Sequence, residues 1–179
     1  ILYLVSGIGP PAGWGTEFIQ DLIFNLARAG VDATIINPIY PHTHPGWREW
    51  TEHYNRKKNI TIVSLTFPYS NNFELNLLLT PLYVSLAAFR FMKKEKFDLV
   101  HEFSSTPIIL IRSLLFKMIF KVGTVFTLSV LNKTIFGRFF WFRIFNFASK
   151  YLIPSREIIS DLRRLGVSFN KILYSPPGI

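Results

Sequence analysis

The sequence predicts an α/β fold built on a parallel, doubly wound sheet. Short apolar runs alternate with longer segments of helical periodicity, and the runs themselves show no polar–apolar alternation. A run of this kind is typical of a strand that is covered on both faces, as in a parallel sheet. Strands that alternate with helices indicate right-handed crossovers, which place the carboxyl ends of the strands along one edge, where ligands bind.

Seven strands and five helices are predicted in order along the chain. The predicted strands are residues 1–5, 31–36, 59–66, 97–101, 122–127, 149–153 and 170–174. The predicted helices are residues 16–29, 75–94, 105–120, 134–148 and 155–165. Apolar residues recur at spacings of three and four in the first helix, and Gly30 follows as its C-terminal cap. The segment 37–58 is predicted as a long loop, and loops of this length are usually functional or mobile.

Composition bounds the class of protein. The 179 residues fit one domain, and a hydrophobic content of 49% excludes general disorder. No uncharged apolar run reaches the roughly 18 residues that a spanning helix needs. The chain has no cysteine, which excludes disulfides and cysteine-ligated metals and favours a cytoplasmic location.

The formal charge of +9 permits an acidic partner. Nucleic acid is not expected, because the basic residues are dispersed among Phe and Ile and no nucleic-acid-binding motif is present. An anionic membrane surface fits the mixture of aromatic and basic residues better. A basic isoelectric point without a specific partner is the simpler alternative.

The stretch "PPAGWGTE", residues 10–17, lies between the first strand and the first helix. Its upstream part, Gly7-x-Gly9-x-x-Ala12, satisfies a dinucleotide-binding fingerprint and raises the alternative of an NAD-dependent oxidoreductase. The two prolines argue against it because they offer no N–H to a pyrophosphate, and the second strand ends in Asn37 rather than an acidic residue. Gly13 and Gly15 are better placed for a close approach of backbone to ligand at the helix start.

Three segments together resemble the N-terminal domain of family-4 retaining glycosyltransferases. They are "GPPAGWGTEFIQDLIFNLARAGVDATIINP", "KFDLVHEFSS" and "ASKYLIPSREIISDLRRLGVSFNKILYSPPGI", and they cover almost the whole chain in the family's order. The resemblance implies the two-domain GT-B architecture. It implies that residues 1–175 form a Rossmann-like, acceptor-binding domain and that residues 176–179 begin a linker to a donor-binding C-terminal domain outside this chain.

The resemblance also implies an activity and its partners. The enzyme would be a hexosyltransferase-type enzyme of polysaccharide biosynthesis that moves a sugar from a nucleotide-sugar donor to a glycan or lipid-linked acceptor, with retention of configuration. The nucleotide-sugar is a substrate, and neither a metal nor another cofactor is expected. The isolated chain is expected to be inactive because its own C-terminal domain supplies most donor contacts.

Site residues follow from the same resemblance, position by position. The donor diphosphate is expected at Gly13, Trp14, Gly15 and Thr16. The acceptor pocket is expected at His101, Glu102, Ser129 and Asn132. Glu102 and Ser129 are the candidates for a catalytic role.

Ser129 is a departure from the family pattern. The family usually reads Thr-x-His after the fifth strand, whereas this sequence reads Thr127-Leu128-Ser129. Serine can hydrogen-bond a hydroxyl but cannot carry the positive charge of histidine. Three interpretations are open: the chemistry tolerates serine, the alignment is shifted by one residue, or the enzyme is weak or degenerate. A non-catalytic binding domain of the same fold is therefore an alternative function.

Two further segments contain candidate binding residues. His42, His44 and His53, with Glu49 and Glu52, are interpreted as solvated loop residues rather than a metal site, because a Pro-rich loop does not fix ligand spacing. A contact of this loop with the acceptor is an open alternative.

The aromatic segment 136–150 is apolar on all sides, which predicts burial or contact with lipid. With Arg112, Lys117, Lys121, Arg138 and Arg143, it predicts peripheral, monotopic attachment to the inner face of a membrane.

Overall fold

The computed structural model of the chain describes residues 1–5, 16–39, 46–66, 73–103, 107–128 and 145–175. The strands are β1 (Leu2–Leu4), β2 (Ala33–Ile39), β3 (Ile60–Thr66), β4 (Leu99–Glu102), β5 (Gly123–Thr127), β6 (Lys150–Ile153) and β7 (Ile172–Tyr174). The helices are α1 (Thr16–Arg28), α2 (Trp47–Asn55), α3 (Phe73–Lys94), α4 (Pro107–Phe120) and α5 (Arg156–Arg164). A single 3-10 turn, Phe169–Lys171, precedes β7.

The strands form one seven-stranded sheet in the order β3-β2-β1-β4-β5-β6-β7. The pairs β1–β2, β2–β3, β4–β5, β5–β6 and β6–β7 are parallel. The predicted seven-stranded, parallel α/β fold is confirmed. The chain also divides into two compact units, unit 1 (Ile1–Phe97) and unit 2 (Asp98–Ile179).

Unit 1 has a core of central strands whose side chains are covered on both faces. Every residue of β1 is buried, and six of the seven residues of β2 are buried. Continuous burial explains why these strands carry no polar–apolar alternation. Helix α1 ends as predicted at Gly30, whose φ of 90° permits the Val31 amide to bond the Leu26 carbonyl and its own amide to bond the Ala27 carbonyl.

The predicted loop 37–58 is wrong. Its first residues extend β2 to Ile39, and residues 47–55 form helix α2. This helix has no buried residue, so it is stabilised by contacts of its flanks rather than by a core-facing stripe. The Tyr54 ring stacks on Phe24 of α1 with centroids 4.1 Å apart, and the Lys57 ammonium lies 4.2 Å from the Tyr54 ring centroid.

Helix α2 also covers the outer edge of β3, the end strand of the sheet. The side-chain amide of Asn55 donates to the Ile62 carbonyl at 3.1 Å, and its oxygen accepts from the Ile62 amide at 2.5 Å. The hydroxyls of Thr51 and Ser64 lie 3.0 Å apart. One side chain thus takes the place of a neighbouring strand at Ile62 and blocks pairing with another chain there.

Unit 2 has a second apolar core, formed by β5, β6, α4 and α5. Its largest fully buried side chains include Phe126, Phe145 and Tyr151. Ser155 caps the start of helix α5, because its hydroxyl accepts from the Glu157 amide. After the helix, the Gly166 amide bonds the Arg163 carbonyl and the Val167 amide bonds the Leu162 carbonyl, as Gly30 and Val31 do after α1.

The predicted helix 134–148 lies mostly outside the described residues. At its described end, Phe145 is buried in the core of unit 2 and Phe147 is half exposed. None of the helices in the described ranges is long and apolar enough to cross a membrane.

Candidate functional site

Most of the predicted site residues lie outside the part of the chain that the structure describes. This holds for Gly13, Trp14 and Gly15 in the glycine loop, and for Ser129 and Asn132 after β5. Thr16 is the first residue of α1, so a helix does begin at the predicted position. The binding roles of these residues stay predictions.

His101 lies near the carboxyl end of β4 and is 3% exposed. Its Nε2 lies 2.9 Å from the Thr127 hydroxyl at the end of β5, and its ring stacks on Phe103 with centroids 4.4 Å apart. Burial lowers the pKa of His101 to about 3, because the charged imidazolium would lose its hydration. The imidazole is therefore neutral at physiological pH, and it can orient a hydroxyl but supply no positive charge.

Glu102 is the last residue of β4 and is fully buried. Its Oε1 accepts from Arg112 Nε at 2.9 Å and from the Ser113 hydroxyl at 2.7 Å, and its Oε2 accepts a second bond from the Arg112 guanidinium. Both carboxylate oxygens are thus engaged within the protein. The catalytic role of Glu102 stays a prediction.

The prediction that Arg112 belongs to a basic surface is wrong. Its side chain points into unit 2, is buried, and pairs with Glu102 across the space between α4 and β4. A buried guanidinium needs such a partner, because an unpaired charge away from water costs several kcal/mol. Sequence reasoning missed this pair, although adjacent Arg112 and Ser113, in a helix that is apolar apart from them and Lys117, were a usable signal for it.

Lys117, also predicted on the basic surface, is only partly available there. Its Nζ donates to the Phe147 carbonyl at 2.6 Å. The two preceding carbonyls also accept hydrogen bonds: Asn146 from Lys171 Nζ at 2.5 Å, and Phe145 from the Tyr151 hydroxyl at 2.6 Å. These three consecutive carbonyls lie where a helical turn ends, and cations at a helix C-terminus are favourable. Lys121 is exposed, whereas Arg138 and Arg143 lie outside the described residues.

Of the histidines considered as metal ligands, His53 is the one that lies in the described ranges. His53 lies on α2 with its ring edge-on to Tyr54 at 4.9 Å, and Glu49 and Glu52 lie on the same helix. His42 and His44 lie outside the described residues. Over the residues that the structure describes, no group of three or more metal-ligating side chains is found.

The comparisons with known proteins bear on this geometry. The parallel α/β sheet places the chain in the doubly wound class, and the polar side chains His101, Glu102 and Thr127 lie at the carboxyl ends of β4 and β5, the edge where ligands bind in this class. A model of the family described as Glycosyltransferase Family 4 matches residues 15–179. The chain belongs to this family, which confirms the resemblance predicted from the sequence.

Solved structures from two organisms align with almost the whole of this chain. A glycosyltransferase from Rickettsia africae ESF-5 aligns with a TM-score of 0.67 and 17% identity, covering 99% of this chain and 43% of that one. HepE from Anabaena aligns in its complex with UDP-glucose at a TM-score of 0.55 and 16% identity, covering 99% of this chain and 44% of that one. The HepE complex with UDP gives a TM-score of 0.56 and 18% identity, with coverages of 99% and 44%.

These likenesses establish the fold. The chain spans less than half the length of the solved structures that it matches. No protein with a curated description matches the chain significantly.

Proposed function

We propose that this chain is the N-terminal, acceptor-binding half of a glycosyltransferase that moves a sugar from a nucleotide-sugar donor to a glycan or lipid-linked acceptor with retention of configuration. The observation that carries the proposal is the family match over residues 15–179. The related fold of HepE, whose structures hold UDP-glucose and UDP, supports a nucleotide-sugar as the donor class. The NAD-dependent alternative receives no support from the family match.

The donor diphosphate would lie against the loop Gly13–Gly15 and the start of α1 at Thr16. A helix N-terminus presents unpaired N–H groups and a partial positive charge to an anion. Preorganised donors of this kind stabilise the charge that develops on a leaving diphosphate. This chain would therefore contribute to leaving-group departure without a metal of its own.

The acceptor would lie over the carboxyl ends of β4 and β5. In this proposal His101, Glu102, Ser129 and Asn132 border the acceptor pocket. The neutral imidazole of His101 holds the Thr127 hydroxyl, and Thr127 lies two residues before Ser129. Ser129 would then orient an acceptor or sugar hydroxyl by hydrogen bonding rather than by charge.

The donor site would be completed by a C-terminal domain beyond this chain, so the isolated chain would not turn over. A non-catalytic binding domain is the second candidate, and the serine at position 129 favours it. A membrane-linked acceptor would bring the protein to the inner face of a membrane as a peripheral protein.

The proposal is tested with the complete protein that contains this chain. Transfer is measured by incubating it with labelled nucleotide-sugars and membrane extracts or glycan acceptors, and the anomeric configuration of the product is read by NMR. Gly15→Val is expected to raise the donor KM about tenfold or more by obstructing the diphosphate. Lys96→Ala, an exposed change at a residue with no proposed role in the site, is the matched control.

Ser129→Ala is expected to lower kcat/KM for the acceptor by about tenfold, the effect of one lost hydrogen bond to a substrate hydroxyl. An inverted product would contradict retention. Saturable binding of nucleotide-sugar without transfer to any acceptor would favour the non-catalytic alternative.

A further inference from the structure

Helix α4 has an exposed face made of large apolar side chains. Ile111, Leu115, Met118 and Ile119 expose 40%, 49%, 68% and 56% of their surface. Their spacing of three and four residues places them on one side of the helix, and we call this face the α4 stripe. The opposite side is buried in unit 2 through Leu110, Arg112, Ser113 and Phe116.

The α4 stripe differs from ordinary surface exposure. Single exposed apolar residues are common, whereas a contiguous row of them marks a contact surface. Helix α4 is 14 residues long, so the stripe extends along a helix of about 21 Å. That length is too short to span a bilayer but sufficient to lie in its surface.

The charge around the stripe selects the kind of partner. Between Glu102 and Glu157 the sequence contains no Asp or Glu, but it contains eight Lys or Arg residues, from Arg112 to Arg156. Only Arg112 of these is neutralised by Glu102 in the described ranges. Lys117 lies on the helix itself and donates to the Phe147 carbonyl, and exposed Lys121 follows the helix directly.

We propose that the α4 stripe, with Lys117 and Lys121, is the surface by which the protein lies on an anionic membrane. The inference deepens the proposed function, because it rests on a membrane-linked acceptor. Apolar side chains would enter the headgroup–acyl boundary while the lysines remain at headgroup level. Arg112 is buried and does not contribute to the basic surface. Burial of apolar side chains therefore contributes more of the attraction to the membrane than the sequence alone predicted.

The test uses the complete protein and vesicles of phosphatidylcholine, with and without phosphatidylglycerol, at about 0.05 M and about 0.5 M NaCl. The wild type is expected to co-sediment with the anionic vesicles and to weaken at the higher salt. The double variant Leu115→Ser/Met118→Ser is expected to bind at least about tenfold more weakly, because two partly inserted side chains are lost. The matched control is Leu82→Ser/Leu86→Ser, which changes two exposed leucines of α3 in unit 1 and is expected to bind within about twofold of wild type.

A fluorescent label locates the contact directly. This chain contains no cysteine, so Met118→Cys carries a single site for an environment-sensitive dye once cysteines elsewhere in the protein are replaced. Its emission is expected to shift to the blue on anionic vesicles, whereas the same dye on exposed Lys96→Cys is expected not to shift.

Four results would overturn the inference. Three concern the membrane: wild type that binds neither kind of vesicle, an α4 double variant that binds as well as wild type, and a dye at position 118 that does not shift. The fourth is self-association that the α4 double variant abolishes, which would assign the stripe to a second copy. Sugar transfer to a soluble acceptor separates the two proposals. A protein that transfers sugar but does not bind vesicles contradicts only the membrane role of the stripe. A protein that binds vesicles but transfers no sugar contradicts only the proposed activity.

Discussion

The two units of the chain place their polar side chains differently. Of the seven buried polar or charged residues among the described positions, Asn37 lies in unit 1 and the other six lie in unit 2. In unit 1 the polar side chains of α2 cover the outer edge of β3 instead. A polar group at a sheet edge protects the fold from further pairing, whereas a buried polar cluster at strand ends is typical of a ligand-binding edge.

The two kinds of polar contact differ in energetic consequence. A side chain that covers an edge replaces water and contributes a modest net free energy. A buried ion pair contributes little relative to an apolar replacement but is very sensitive to the loss of one partner. We therefore expect unit 2 to be far less tolerant of single polar substitutions than unit 1.

Arg112→Met breaks the buried pair and gives the largest expected effect. It leaves the Glu102 carboxylate buried without its guanidinium, which is expected to lower the free energy of unfolding by about 3–5 kcal/mol. Urea unfolding at pH 7 measures this loss. The double variant Arg112→Met/Glu102→Leu should regain most of it, and Lys117→Met on the same helix should cost about 1 kcal/mol or less. A single-variant loss below that of Lys117→Met would mean that the pair is not buried in solution.

Acidification tests His101, another buried polar residue of unit 2. The folded pKa of His101 is about 3 against 6.5 for an ordinary histidine, so the unfolded chain binds a proton first as pH falls. Stability is therefore unaffected by this group above about pH 6.5 and is lost progressively toward about pH 3. Between pH 7 and pH 5 the expected loss is about 2 kcal/mol.

The matched variant for this pH dependence is His101→Gln, which retains a hydrogen-bonding group for Thr127 but does not titrate. Its free energy of unfolding should fall less between pH 7 and pH 5 than that of wild type, by about the same 2 kcal/mol. Equal pH slopes for the two proteins would contradict a neutral, buried imidazole.

Gly30→Ala and Gly166→Ala compare the same kind of glycine helix cap in the two units. Both glycines have a positive φ, 90° and 81°, after a helix and before a valine. Each substitution is expected to cost about 1–2 kcal/mol because an L-residue is strained in this region, and at Gly30 no atom within 4 Å adds a steric term. Differential scanning calorimetry gives both values. Asparagine at the same positions should cost less than alanine, and an alanine without effect would show that the helix end rearranges.

Asn55→Ala removes the edge cover of β3 and gives the smallest expected change in stability, about 1 kcal/mol. The more informative measurement is association, because the Ile62 amide and carbonyl become available to another chain. Light scattering during mild heating should rise earlier for Asn55→Ala than for wild type. Asn25→Ala, at an exposed position of α1, provides the control, and identical scattering in both variants would remove the edge-cover interpretation.

Local sequence determined the elements whose signals lie within a few residues. The apolar runs at β1 and β2 predict strands because their burial is continuous, and Gly30 and Gly166 end their helices because only a residue without Cβ accepts positive φ at low cost. The ordered motifs that identify the family are likewise contiguous in the chain. The boundaries shifted by a few residues, since helix and strand ends depend on packing.

Helix α2 could not be predicted in the same way. Its nine residues are mostly polar or aromatic, follow a glycine in the left-handed region, and bury none of their side chains. An isolated helix of that length is not stable, so its existence depends on Phe24 of α1 and on the edge of β3. Those partners lie outside the helix in the sequence, so no pattern within residues 47–55 predicts them.

The sequence by itself determined the strands, the alternating helices other than α2, the glycines that follow α1 and α5, and the family. The tertiary structure decided which charges are surface and which are core. Arg112 looked like one of several basic residues near an aromatic segment. The fold instead places it against Glu102, ten residues away in the chain, to which Ser113 also donates, and it leaves the α4 stripe outside. The physical reason is that the cost of a buried charge is set by which partners lie within hydrogen-bond distance, and only packing fixes those distances.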